Sequence, residues 1–308
     1  MAPSALVLLN PHAQGGRALA LLPQMRVWLK LQALDVTLAA PEALDASLAL
    51  LRDQPQGSRV VVVGGDGTVN RWLPAILERD LTLGLVPMGS GNDIARALGL
   101  LGLSRQDAMH HALHAPAQAV DIGWAQWCDL QEQTYASPFL SSLTAGFDSA
   151  VGLRALQGPR WLGGLPRYLW ATLKELLYLR DWNLQVHADG RVLHQGRALF
   201  ASSLNTPSFG SGMPAVPHAR MDDGQLDLLW AGPFSRGGAL MMLPRLLTGR
   251  HLSHPRIDTQ AYRQLEITCP EGVPLAADGE FLGFAQQLSL QCQAARLNAV
   301  TYRPKLLQ

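Results

Sequence analysis

Lysine is almost missing from this 308-residue chain: Lys30, Lys174 and Lys305 are the only three. Phosphate chemistry would therefore rest on arginine, backbone N–H groups or a metal. Cysteine is equally scarce. Cys128, Cys269 and Cys292 stand alone, with no disulfide framework and no zinc-ligand spacing, which fits a reducing cytosol. With a net charge of +1, nothing points to bulk nucleic-acid binding. No uncharged apolar run is long enough to span a bilayer, so a membrane role would be peripheral. Met1-Ala2-Pro3-Ser4 lacks the basic start of a signal peptide. Internal repeats and low-complexity tracts are also missing.

What is present is ample core: 48% of residues are hydrophobic and 16% charged, which suits one large unit or two domains. The first 120 residues alternate strand and helix. Strands are expected at 5–9, 34–38, 60–63 and 81–86, with helices at 17–30 and 42–52 and after each glycine loop. Continuous apolar strands between helices predict a mostly parallel sheet covered on both faces. Beyond Val120 the pattern turns to short strands punctuated by turns, at 134–143, 182–187, 192–204, 226–230, 265–269, 287–291 and 297–302. Ala188-Asp189-Gly190-Arg191 reads as a hairpin turn, and helices interrupt at 166–179 and 237–247. The expected organisation is an α/β domain over 1–120 and an antiparallel β-sandwich domain over 121–308, whose last residues would pack back on the first domain.

The most informative stretch is Gly64-Gly65-Asp66-Gly67-Thr68-Val69-Asn70, directly after the run Val60 to Val63. Val69, Trp72, Leu73, Ile76 and Leu77 follow at helical spacing. A strand, a glycine loop and a helix N-terminus in series hold phosphates: glycine lets backbone N–H groups approach an anion, and the helix dipole favours it. A second loop, Gly89-Ser90-Gly91-Asn92-Asp93, leaves the next strand, and either Asn92 or Asp93 can cap the helix that follows. A third, Asn10-Pro11-His12-Ala13-Gln14 with Gly15-Gly16, leaves the first strand. All three should share one sheet edge, where ligands bind.

Three further segments carry acidic or aromatic groups. Ala276-Ala277-Asp278-Gly279-Glu280 reads first as a hairpin turn and second as a pair of carboxylates able to take a proton from an alcohol. Arg220-Met221-Asp222-Asp223-Gly224-Gln225-Leu226-Asp227 is a solvated acidic turn or a hard-cation site. Residues 154–180 hold Trp161, Tyr168, Trp170 and Tyr178 among Arg160, Arg167 and Lys174, a composition that packs on a sandwich or lies on a membrane surface.

The ordered set Asn10-Pro11, Gly64 to Asn70, Gly89 to Asp93, Gly146-Phe147-Asp148, Asp223-Gly224 and Asp278-Gly279-Glu280 resembles the diacylglycerol kinase catalytic-domain family, which includes sphingosine kinases and small bacterial lipid kinases. The first loop is also similar to NAD kinases. The resemblance implies an ATP-dependent kinase acting on a lipid hydroxyl of diacylglycerol, phosphatidylglycerol or sphingoid type at a membrane surface. It implies that Asn10, Pro11, His12, Ala13, Gln14, Gly64, Gly65, Asp66, Gly67, Thr68, Val69, Asn70, Ser90 and Asn92 line the nucleotide. Glu280 would accept the hydroxyl proton with Asp278 beside it, and Asp66 would position phosphates and a catalytic Mg²⁺. A structural Mg²⁺ maps onto Asp223 with carbonyls near Arg220 and Gln225. The lipid would enter near Gly146-Phe147-Asp148 and residues 205–213. The chain departs from the family at Ala39-Ala40-Pro41, where a threonine is usual, and at Arg71, where a glutamate is usual. The alternatives are a kinase of a soluble molecule such as NAD, and a non-catalytic nucleotide- or lipid-binding homologue. Oligomeric state is left open, with a homodimer among the options.

Overall fold

Four consecutive valines, Val60 to Val63, form the centre of a parallel sheet, and all are buried. A computed structural model of the chain describes residues 4–31, 35–159, 161–162 and 164–302. Met1 to Pro3, Leu34, Arg160 and Lys305, named above, lie outside those residues. The backbone divides into two units, one of residues 1–120 with 295–308, the other of residues 121–294.

In the first unit β1 (Ser4–Leu9) lies between β2 (Asp35–Ala39) and β3 (Arg59–Gly64), and β3 pairs with β4 (Thr82–Pro87), all parallel. The end of the last strand adds beside β4, with Ala299 opposite Leu83. Helices α1 (Leu22–Leu29), α2 (Leu44–Arg52), α3 (Asp66–Glu78), α4 (Asp93–Ala97) and α5 (Arg105–His114) complete the unit. Apolar side chains such as Val61, Val63 and Val86 pack against α1 and α5, as a sheet covered on its faces requires.

Two expectations fail here for identifiable reasons. The helix expected from Arg17 begins instead as a 3₁₀ run, Ala13–Leu21, with Gln14, Gly15 and Gly16 in the left-handed region; α1 starts only at Leu22, where Pro23 favours a first turn. Helix α5 was not expected. Its buried residues are only Ala108, Met109, Ala112 and Leu113, too few to give a strong apolar stripe. The available signal was Ser104, whose hydroxyl accepts the Asp107 N–H at 3.1 Å and caps the helix. Pro74 lies inside α3 without ending it.

The second unit is an antiparallel β-sandwich. Its elements are β5 (Ala117–Cys128), β6 (Thr134–Phe139), β7 (Ser142–Ala145), α6 (Phe147–Leu156), α7 (Gly164–Leu176), β8 (Trp182–Ala188), β9 (Arg191–Ala198), β10 (Phe200–Leu204), β11 (Leu226–Ala231), α8 (Arg236–Leu247), β12 (Ile257–Tyr262), β13 (Gln264–Ala277) and β14 (Glu280–Val300). Strand β10 lies between β7 and β11, β11 pairs with β12, and β13 pairs with β7, β8 and β14. Buried Phe139, Leu143, Leu184, Leu204, Leu228 and Tyr262 form its core. The hairpin expected at Asp189-Gly190 is present, with Ala188 opposite Arg191. The strand expected over 134–143 is two strands, broken where the N–H groups of Leu140 and Ser141 turn from the ladder to a carboxylate, that of Asp278.

Candidate functional site

The three glycine loops of the first unit meet. Asn10, just past β1, donates from Nδ2 to Thr68 Oγ1 at 2.7 Å, while its Oδ1 accepts the His12 N–H at 3.0 Å. The Asn10 loop is thereby tied to the start of α3, where Thr68 and Asn70 are buried. The second loop touches the same place by backbone alone. A Cβ on Gly65 would lie 2.6 Å from the Gly89 Cα, so no side chain fits between them. The Met88 N–H bonds the Gly64 carbonyl at 2.7 Å, and Asn92 holds its own loop with Oδ1 on the Gly89 N–H at 2.8 Å. Asn92 and Asp93 were the candidate caps of α4. The structure gives that role to Asp66, whose Oδ2 and Oδ1 accept the N–H groups of Asp93 and Ile94 at 3.0 and 3.1 Å. Ser90 is exposed at the tip of its loop, and Pro11, Ala13 and Gln14 continue the Asn10 loop. A surface of glycine backbone beside the N-terminus of α3 fits polyphosphate, because leading N–H groups of a helix have no partner within it.

In the second unit Asp278 and Gly279 form the two-residue turn between β13 and β14, at φ 47° and 87°, and Ala277 faces Glu280 across it. Both φ values are positive, as a type I′ turn demands. The Asp278 carboxylate is buried at 6% exposure and accepts three backbone N–H groups, from Leu140, Ser141 and Ser142, at 2.9, 2.7 and 3.0 Å. That is a structural clamp, and it leaves the half-buried Glu280 as the accessible carboxylate of the pair.

The same unit holds a small apolar cavity of about 80 Å³ lined by Phe147, Phe209, Leu229, Phe234, Met242 and Leu246, with Asp148 and His251 as its ionisable side chains. Burial pushes the Asp148 carboxyl up to about 7, and the Ser202 hydroxyl donates to its Oδ2 at 3.0 Å. His251 Nε2 bonds the Ala215 carbonyl at 2.7 Å, so Nε2 carries the proton. Its Nδ1 is buried with no hydrogen-bond partner among the described residues, and burial pulls the imidazole pKa down. Sequence reasoning missed His251 and Ser202. Neither stands in a motif; strand pairing and a 3₁₀ turn bring them into place. Burial raises Cys269 and Cys292 to about 11 and about 12, which removes both as thiolate nucleophiles.

The acidic turn is closed by its own hydrogen bonds. Asp223 Oδ1 accepts the Gln225 N–H at 3.1 Å, Asp222 accepts from Arg220 at 3.0 Å, and Asp121 Oδ2 accepts the Gly224 N–H at 2.7 Å. Among the described residues, no group of three or more His, Cys, Asp or Glu side chains could hold a metal ion. Asp223 Oδ2 and the carbonyls of Arg220 and Gln225 are nonetheless oxygen donors of the kind a hard cation takes.

Two family models match the chain: the diacylglycerol kinase catalytic domain over residues 4–125, and the YegS C-terminal NAD kinase beta sandwich-like domain over 141–301. A diacylglycerol kinase of Mycobacterium tuberculosis is 32% identical over 89% of this chain and 87% of its own length. A solved Bacillus anthracis structure assigned as a diacylglycerol kinase covers 99% of both chains with a TM-score of 0.74 at 19% identity. Yeast NADH kinase, solved with NADH, covers 99% of this chain and 84% of its own, with a TM-score of 0.55 at 11% identity, a likeness of fold alone.

Proposed function

The chain belongs to the diacylglycerol kinase family, and from that premise we propose that it transfers the γ-phosphoryl group of ATP to the hydroxyl of a membrane lipid. The observation that favours a lipid over a soluble acceptor is the cavity behind Asp148. Its walls are apolar apart from Asp148 and His251, and at about 80 Å³ it takes in a few methylene groups of a lipid, not a whole chain.

The domain over residues 1–120 takes the nucleotide. The Gly64 to Asn70 loop, the Asn10 to Gln14 loop, Ser90 and the loop held by Asn92 surround its phosphates. Within the first of these the N–H groups of Thr68 and Val69 bond the Gly65 carbonyl, so the donors to phosphate come from the residues before them. Asp66 holds the two glycine loops in register by capping α4. The second unit, residues 121–294, takes the lipid. Glu280 accepts the hydroxyl proton as the oxygen attacks the γ-phosphorus and ADP leaves. Asp278 is a positioning residue that fixes the turn carrying Glu280. Mg²⁺ bound with ATP would supply positive charge to the transferred phosphoryl group. Asp223 Oδ2, with the carbonyls of Arg220 and Gln225, would hold a second, structural Mg²⁺. The protein works at the cytosolic face of a membrane as a peripheral protein. Among the described residues no helix is long and apolar enough to cross one.

The test is labelled ATP with the purified chain, offered diacylglycerol, phosphatidylglycerol, sphingosine and NAD in separate reactions, with products identified by mass. Label in a lipid supports the reading. Label in NAD alone, or in nothing, overturns it.

A further inference from the structure

Helix α8 is apolar on two sides. Ala239, Met242, Leu243 and Leu246 face inward onto the cavity. Outward lie Leu240, Met241 and Leu247, at 47, 73 and 39% exposure. At 3.6 residues per turn these three, with Pro244, span about 120° of the outer surface. The exposed Arg236 and Arg245 flank that stripe, one on each side. A helix that only covered a core would present polar residues outward.

Charge reinforces the pattern. Residues 228–257 contain no aspartate or glutamate, and they hold Arg236, Arg245, Arg250 and Arg256. Helix α7 packs beside α8 and leaves Leu173 exposed, while Trp161, just before α7, is more than four-fifths exposed. Apolar side chains rimmed by cations, on a helix too short to cross a bilayer, match an element lying in an anionic lipid interface.

We propose that the outer face of α8, made of Leu240, Met241 and Leu247 between Arg236 and Arg245, is the surface by which this unit docks on an anionic bilayer. The inner face of the same helix walls the cavity, so docking sets that wall against the source of the lipid. The purpose of docking rests on the lipid-kinase reading; the docking itself is measured without ATP.

The experiment uses the full chain in sedimentation with vesicles of phosphatidylglycerol and phosphatidylcholine in equal parts, and of phosphatidylcholine alone. The variant Leu240→Ser/Met241→Ser should lower the fraction bound at least about tenfold, given the apolar area removed. The variant Arg236→Gln/Arg245→Gln should lose the preference for phosphatidylglycerol vesicles. Both should melt as the wild type does and keep its turnover on dispersed dioctanoylglycerol or dioctanoylphosphatidylglycerol. Wild-type-like vesicle binding by both variants overturns the proposal. So does a change in solution mass with vesicle binding intact, which would make the face a contact between copies. A wild type that binds anionic vesicles yet phosphorylates neither dispersed lipid supports docking and counts against the kinase reading alone.

Discussion

The carboxylate of Asp66 closes the amino-terminal end of the helix that begins at Asp93. Its two oxygens accept the N–H groups of Asp93 and Ile94, so a residue of one glycine loop fixes the loop that follows the next strand. Substitution Asp66→Ala removes a cap and frees the second loop. A cap of this kind is worth ~0.5–2 kcal/mol, and the variant should melt earlier by that amount. It should also raise the KM for ATP, because the phosphate cradle loses its register. Unchanged melting together with unchanged KM would contradict the linkage.

Glycine at 65 and 89 is needed for contact, not for φ. A Cβ at either would meet the other's Cα at 2.6 or 2.7 Å. Gly89→Ala should separate the loops and weaken ATP binding by about tenfold or more, since misplaced donors lose most of their value to a phosphate. Calorimetric titration with ATP measures this, and wild-type affinity would sink the cradle model.

Asp278 and Glu280 should separate experimentally. Glu280→Gln should keep the melting temperature and lower kcat ~10²–10⁴-fold, the usual worth of a general base. Asp278→Ala leaves three buried N–H donors of Leu140, Ser141 and Ser142 without an acceptor. It should destabilise the fold by roughly 3 kcal/mol or more, since each buried donor left without a partner costs about 1–3 kcal/mol. Denaturant unfolding and steady-state rates together decide; a stable, inactive Asp278→Ala would reverse the roles assigned here.

Asp148 should make stability fall with rising pH. Its carboxyl ionises near 3.8 when exposed and at about 7 in the fold, because burial penalises the charge. Between those values the folded state binds more protons than the unfolded one, so stability declines with pH and levels off above 7. Asp148→Asn, which cannot ionise, should remove that part of the decline. Melting curves of both proteins from pH 4 to 8 should therefore converge at the acidic end and diverge at the basic end. Parallel curves would show that Asp148 titrates normally.

The glycine loops and the layered α/β pattern were legible because both are local. A run such as Val60 to Val63 has one stable environment, a strand buried on both faces, and glycine density marks close backbone approach wherever it occurs. Helix α5 was not legible because its apolar stripe is short, and the break at Leu140-Ser141 was not because its cause lies 138 residues away in Asp278. The Asp278-Gly279 turn was legible as a hairpin, and the hairpin is what the structure shows.

The sequence alone determined which residues bring phosphate-binding backbone, carboxylates and a β-sandwich into one chain, since loop chemistry and strand periodicity are properties of neighbours. Tertiary structure decided how those residues divide the work. It made Asp66 a helix cap and Asp278 a clamp, and it set the half-buried Asp148 at an apolar cavity with a His251 Nδ1 that has no partner among the described residues. It also turned three apolar side chains of α8 to the outside. Each of these depends on distant segments meeting, and on the cost of leaving a buried N–H or charge unpaired, which no local pattern records.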